Sequence, residues 1–304
     1  MATPSFAIPV LEALIAAGHQ IEGVYCQTDK PSGRGRRLES SPVKEFALAR
    51  GLPLFQPPTL RRPESQGELA ALKPDVIVVA AYGKILPPPV LQIPPLGCLN
   101  LHPSLLPKYR GPSPVVSAVL EGERVTGMTI ILLDEGMDTG PILAQGTMEI
   151  VQTDNAETLT QRLFKKGAEM LIEILPIWAQ RKTQPQVQDE SQATLSRKIS
   201  KEDGQIDWQL PAEVIARRVR AFYPWPGTHT FWRGKLLKIL EATPLQAQIE
   251  GEIGTVVREP EGEVGIITGQ GLLAIKRLQL EGHRAVSIRD FLQGYRDFMG
   301  SRLT

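Results

Sequence analysis

With 304 residues and 42% hydrophobic side chains, the chain has ample material for a sizeable core and exceeds the usual single-domain size, so a large domain plus a smaller one is expected. Its 34 basic and 33 acidic residues nearly cancel, so whole-chain charge does not announce a polyanionic partner. No apolar run approaches the roughly 20 residues of a membrane span, and the first residues lack a signal-peptide pattern, which predicts a soluble cytoplasmic protein.

Residues 5–18 (SFAIPVLEALIAAG) have helical apolar spacing, with Thr3 as a hydroxyl cap, Pro4 in the first turn and Gly18 as the stop. A strand is predicted over 21–27, and short apolar strands recur at 52–55, 75–80, 97–101 and 126–133. Helices fit between them at 42–50, 64–72 and 114–121. This alternation predicts an α/β domain built on a Rossmann-like, doubly wound, mostly parallel sheet covered on both faces. The series opens on a helix where a strand would ordinarily stand.

Asp154 and Glu157 resemble a capping box for a long helix with Leu159, Leu163, Met170, Leu171, Ile174 and Trp178 on its apolar side, ended or kinked at Pro176. Residues 180–190 (QRKTQPQVQDE) are polar and aperiodic and read as a linker or surface crossing. Beyond them come a helix at 211–222 and short strands at 229–232, 236–242, 254–258, 265–268 and 272–278, the pattern of a small β-barrel, OB-like in kind, or of a sandwich. The expected division is a catalytic domain over 1–183, a linker over 184–204 and a barrel domain over 205–304. Cys26 and Cys98 lie in apolar strand contexts without metal-ligand spacing and read as reduced core residues.

Chemistry concentrates in residues 97–114, GCLNLHPSLLPKYRGPSP. The prolines stop the strand, so Asn100 and His102 project from its carboxyl end, where ligands collect in open parallel sheets. Lying two apart, they point to one side of the strand. A second loop, DEGMDTG at 134–140, has glycines that permit a tight turn over the same crevice, with Asp138 as the inward carboxylate. A neutral His beside an Asp can move protons near pH 7 and an Asn amide can donate to an oxyanion, which suits acyl transfer. The bland alternative is a structural loop histidine with an Asn nearby by chance. The sequence contains no GxSxG elbow, no phosphate-binding GxxxxGK[ST], no GxGxxG and no clustered His/Cys set, which disfavours serine hydrolase, NTPase, dehydrogenase and metal-site readings. Two local basic clusters stand out, Lys30, Arg34, Arg36 and Arg37, and Arg217, Arg218 and Arg220 with Arg233, Lys235 and Lys238. Either can be a solvated face or a nucleic-acid contact. His19, His229 and His283 read as structural or solvated.

NLHPSLLPKYRGPSP, followed by DEGMDTG with 36 positions between His102 and Asp138, resembles the 10-formyltetrahydrofolate-dependent formyltransferases. QTDKPSGRGRRLESSPVK, AAYGKILP, SKEDGQIDW and RAFYPWPGT look, within that superfamily, like its tRNA-directed branch, and the resemblance spans essentially the whole chain. It implies transfer of a formyl group from 10-formyltetrahydrofolate, a substrate, to the α-amino group of methionyl initiator tRNA, by a monomer without a metal. It implies Asn100, His102 and Asp138 as the catalytic trio, the first two stabilising the tetrahedral oxyanion while Asp138 orients His102. It also implies folate contacts from Val79, Tyr82, Gly83, Leu86, Asp134, Gly136 and Gly140, largely through backbone groups. Lys30, Arg34, Arg36 and Arg37 become candidates for a tRNA-engaging loop, and Arg217, Arg218, Arg220, Lys235 and Lys238 for the barrel-side tRNA surface. Sugar-nucleotide formyltransferases and formyltetrahydrofolate hydrolase modules share the trio, and a non-catalytic or truncated tRNA binder would share the basic loops; these alternatives stay open.

One departure is at the start. The resembled family opens with a strand of about seven residues leading into a Gly-Thr-Pro turn, whereas this sequence opens Met-Ala-Thr-Pro. A central strand missing from a doubly wound sheet predicts an apolar gap and unpaired backbone, hence either an upstream start or a destabilised, inactive chain.

Overall fold

A computed structural model describes residues 1–32, 37–247, 250–259 and 262–304. The elements in chain order are α1 (Ile8–Ala16), β1 (Val24–Tyr25), β2 (Lys30–Ser32), β3 (Arg37–Glu39), α2 (Pro42–Ala49), β4 (Leu54–Phe55), α3 (Pro63–Ala71), β5 (Ile77–Val79), α4 (Pro88–Leu91), β6 (Cys98–His102) and α5 (Pro114–Glu121). They continue with β7 (Val125–Leu132), β8 (Ile142–Glu149), α6 (Ala156–Ala179), α7 (Ala212–Ala221), β9 (Thr228–Trp232), β10 (Lys235–Leu245), β11 (Val256–Arg258), β12 (Val264–Ile267), β13 (Leu272–Leu280), β14 (Val286–Ser287) and α8 (Ile288–Gly294). Two compact units result, one of Met1–Pro114, Val125–Glu149 and Thr160–Ser196, the other of Val115–Arg124, Ile150–Leu159 and Arg197–Thr304. Among the described residues no helix is long and apolar enough to cross a membrane.

In the first unit β1 pairs β4 and β5 pairs β6 in parallel. β7 and β8 then extend the sheet antiparallel, in the order β5-β6-β7-β8. β6 is the pivot: Asn100 lies opposite Val79 on its parallel side and Ile131 on its antiparallel side. Its apolar run is buried apart from Asn100, which only a strand covered on both faces sustains. The later part of α6 packs on this region, because a Cβ at Gly167 would meet Leu101 and Met128 side chains at 3.0 Å. Ser41 caps α2 by accepting from the Lys44 amide. Thr3, expected to cap the first helix, instead donates its hydroxyl to the Tyr82 carbonyl and accepts from the Gln27 amide, since the chain enters α1 through a short 3-10 turn at Ser5–Ala7. The expected capping pair at the start of α6 is likewise displaced: Asn155 and Thr158 exchange side-chain and backbone bonds, and the helix runs past Pro176 to Ala179.

The edges of β1 and β5 face one another without pairing. Among the described residues Met1 and Ala2 bridge them, the Ala2 amide donating to Tyr25 and the Ala80 amide to Met1, while the Met1 amino group donates to Val78 at 2.7 Å. Burial pushes that amino group down to about 5. Alongside lies a cavity of about 660 Å³ lined by Val10, Leu14, Val24, Val78, Leu175 and Pro176 among others.

The second unit carries an antiparallel sheet in the order β11-β12-β13-β10-β9, with β14 added to β13. α7 buries Ala212, Ile215, Ala216 and Val219, an i, i+3, i+4, i+7 stripe, in a core with Trp208, Trp232, Leu237, Leu278, Phe291 and Phe298. The last residues close the sheet on itself. The Val256 amide donates to Ser301 and the Leu303 amide to Gly254 at one edge, while Phe231 and Thr304 exchange amide-to-carbonyl bonds at the other. This barrel-like closure spares both edges their unpaired groups.

Candidate active site

Asn100 and His102 leave β6 at its carboxyl end, and the loop between β7 and β8 brings Asp138 to them. One carboxylate meets both: Asp138 Oδ1 lies 3.4 Å from Asn100 Nδ2 and Oδ2 lies 3.5 Å from His102 Nδ1. Oδ2 also accepts the Gly111 amide at 2.8 Å. Asp138 holds φ +55, a left-handed conformation unusual for a non-glycine residue, and Tyr109 in the facing loop holds φ +60.

His102 is buried, and its Nε2 sits 3.0 Å from the Tyr109 carbonyl. A carbonyl only accepts, so Nε2 carries the hydrogen in the neutral ring and Nδ1 turns its lone pair toward Asp138. Burial holds the imidazole below its ordinary range, against the Asp138 charge and the Tyr109 bond, which both raise it. His102 Nδ1 and the Asp138 carboxylate thus face each other at 3.5 Å. Asn100, only partly buried, spends one N–H on a long bond to Asp138.

A segment that reads in the sequence as a featureless linker completes the site. Gln188, buried, accepts from Arg110 Nε and Nη2 at 3.0 and 2.9 Å and donates from Nε2 to the Asp138 and Gly140 carbonyls at 2.8 and 2.7 Å. Glu190 takes Arg110 in a two-pronged ion pair, which lets a buried guanidinium remain charged. Thr194 and Ser196 bond the backbone of Tyr109, Arg110 and Ser113. Arg110 lies within the motif-bearing loop, but nothing local in QPQVQDE marks Gln188.

Around the trio, Asp134 ties its own loop by accepting from the Gly136 amide and the Thr139 hydroxyl. Gly140 is required by close approach, since any Cβ there would overlap the Leu132 carbonyl oxygen. We therefore expect Gly140→Ala to destabilise the chain by about 1 to 3 kcal/mol, an overpacking cost, read from denaturant melts. Val79, Tyr82 and Leu86 bury their side chains in the core cluster with Tyr25, Ile77 and Cys98, so only their backbone faces remain for a ligand. Gly83 follows with φ +76 beside Gln27, whose amide donates to the Tyr82 carbonyl.

The basic candidates are placed unevenly. Lys30 and Arg37 stand on the β2–β3 hairpin, whereas Arg34 and Arg36 lie outside the described residues. Arg218 donates to the Asp203 carbonyl and lies over the Phe222 ring, Arg220 donates to the Asp154 carbonyl, and Arg217 lies against Gly122. Arg218 and Arg220 thus brace the second unit. Lys235 and Lys238 are exposed on β10.

Residues 1–175 match the model of the family described as Formyl transferase, and 198–296 match that of Formyl transferase, C-terminal domain. A protein of Chloroflexus aurantiacus named Methionyl-tRNA formyltransferase is 50% identical over 295 residues, covering 97% of this chain and 95% of its own length. One of that name from Dehalococcoides mccartyi is 46% identical over 304 residues, covering 100% and 97%. Among solved structures, the N-formyltransferase from Helicobacter canadensis, with folinic acid and dTDP-3-aminofucose, superposes with a TM-score of 0.66 at 18% identity over 90% of this chain and 97% of its own. HypX from Aquifex aeolicus, in complex with tetrahydrofolic acid, gives 0.61 at 22% over 84% and 44%. At such identities these two show the fold alone.

Proposed function

The chain belongs to the formyl transferase family, and from that premise we propose that it moves a formyl group from 10-formyltetrahydrofolate to the α-amino group of methionine esterified to initiator tRNA. One observation carries the reading: an amide, an imidazole and a carboxylate converge at the end of β6, with Asp138 reaching both other side chains. The near-full-length similarity to proteins named Methionyl-tRNA formyltransferase supports the choice of substrate.

The amine attacks the formyl carbon directly, so no enzyme nucleophile is needed. As the tetrahedral centre forms, Asn100 Nδ2–H donates to the developing oxyanion. The proton lost by the nitrogen is taken up between His102 Nδ1 and Asp138 Oδ2, where the carboxylate stabilises the imidazolium. Delivery of that proton to N10 of the folate then accompanies cleavage of the carbon–N10 bond, leaving a formamide and tetrahydrofolate. His102 shares the oxyanion only if its bond to Tyr109 opens, so Asn100 is the principal donor and His102 the proton carrier. The folate rests against the backbone of residues 79–86 and the 134–140 loop, and the chain acts as a cytoplasmic monomer.

For tRNA, Lys30, Arg34, Arg36 and Arg37 engage the acceptor end while residues 205–304 hold the body, with the exposed Lys235 and Lys238 contributing more than the committed Arg217, Arg218 and Arg220. Replacing Arg34, Arg36 and Arg37 together is expected to weaken tRNA use far more than folate use and to flatten its salt dependence, since each lost phosphate contact lowers the slope by about one. Equal losses on both substrates would contradict the assignment. The deciding assay offers methionyl initiator tRNA, an amino-sugar nucleotide and water as formyl acceptors. Formylation of the tRNA is expected, whereas transfer only to the sugar or to water would overturn the reading.

A further inference from the structure

We propose that Gln188 is a positioning residue of the formyl-transfer site, its side-chain amide holding the Asp138 backbone in the strained conformation that aims the carboxylate at His102. The proposal rests on the reading of the trio given above. Residues 186–196 form a strap across the mouths of both catalytic loops. At one end Gln186 and Ile142 exchange amide-to-carbonyl bonds at the start of β8, and at the other Leu195 bridges Arg110. Between these anchors Gln188 reaches inward from a stretch whose neighbour Val187 is 84% exposed.

All four bonding positions of the Gln188 amide are used. Its oxygen takes two N–H groups of Arg110 and its nitrogen donates to two carbonyls of the loop that carries Asp138. One is the carbonyl of Asp138 itself, whose φ of +55 lies where a non-glycine residue persists only if its surroundings enforce it. The other belongs to Gly140, which fixes the far side of the turn. Arg110 in turn sits between Tyr109, whose carbonyl sets the His102 hydrogen, and Gly111, whose amide holds the Asp138 carboxylate. At Gly111 the strap comes so close that a Cβ would lie 2.9 Å from the Ser196 carbonyl oxygen. Gln188 thus joins the two loops whose relative placement sets the His102–Asp138 distance.

Gln188→Glu isolates the donor half of this amide. The carboxylate keeps its shape and its bonds to Arg110 but presents an acceptor to two carbonyls, which releases the Asp138 turn. Misplacing a reacting group by about an ångström costs about 10² in rate, so kcat is expected to fall by about 10 to 100-fold with KM for both substrates little changed. The acid limb of kcat/KM is read in Gln188→Met, which removes the donors without adding a charge beside His102, and it is expected to move to lower pH because a retreating Asp138 no longer raises the imidazole. Independently of activity, the Gly111 amide is expected to exchange its hydrogen at least tenfold faster, its acceptor being Asp138. If the unsubstituted chain transfers no formyl group, the functional reading fails and hydrogen exchange still decides the positioning role. Unchanged exchange with unchanged kcat overturns it. Should Gln188→Glu not fold, Arg110→Lys, which cannot fork onto Gln188, is expected to show the same two effects more weakly, and their absence is equally fatal.

Discussion

Asp138→Asn is expected to lower kcat by about 10² to 10⁴, the range for removing a general acid–base partner, with a smaller change in KM for either substrate. The substitution keeps the side chain's size and an oxygen for the Gly111 amide, so the loop stays in place. Two things are lost. An amide cannot take up a proton, and it cannot stabilise a cation at His102, which is buried and lies 3.5 Å from the present carboxylate. The sign of the pH effect separates this from simple damage. On the proposed mechanism the imidazole must be neutral to accept the substrate's proton, so activity falls as pH drops through its titration. Burial has already placed that titration below the ordinary histidine range, and the Asp138 charge works against burial. Removing the charge should therefore carry the acid limb to still lower pH while the plateau falls. A variant with near-full kcat would remove Asp138 from the proton relay, and an acid limb that moved upward would contradict the electrostatic account.

Local pattern was legible where burial and period coincide. The apolar run of β6, the strands β7 and β13 and the stripe of α7 all follow from residues within one or two turns of each other. β8 escaped because its outward positions carry Gln145, Thr147 and Glu149 and it has one covered face. The strap at 186–196 escaped for a different reason. Its order comes from bonds to residues far away in the chain, such as Gln188 to Gly140, 48 positions off, and Ser196 to Arg110, 86 positions off, and no local period records them. The sheet's turn from parallel to antiparallel at β6 was hidden for the same cause, since register is a property of pairs of strands. For the site, residue types and spacing located Asn100, His102 and the DEGMDTG loop. That one carboxylate serves both side chains, and that Nε2 of His102 is committed to Tyr109, are three-dimensional facts.

That commitment sets the size of the other large effect. With the His102 Nε2 hydrogen on the Tyr109 carbonyl, Asn100 is on the proposed mechanism the donor to the oxyanion, so Asn100→Ala is expected to cost about 10² to 10³ in kcat, or about 2.7 to 4 kcal/mol. Ground-state consequences should be slight. The bond that Asn100 makes to Asp138 is 3.4 Å long, and the same carboxylate keeps the Gly111 amide at 2.8 Å, so the alanine variant leaves Asp138 anchored. An interaction made only in the transition state lowers kcat and kcat/KM together, which is the pattern to look for in single-turnover and steady-state measurements. A rise in KM at constant kcat would mean that Asn100 merely binds substrate. A near-normal single-turnover rate would mean that the oxyanion draws its donor from elsewhere, and the first alternative to test would then be His102 with its Tyr109 bond opened by the bound substrate. The two variants are thus complementary in their pH behaviour: loss of Asn100 should lower the plateau and leave the acid limb where it stands, because the proton site between His102 and Asp138 survives intact.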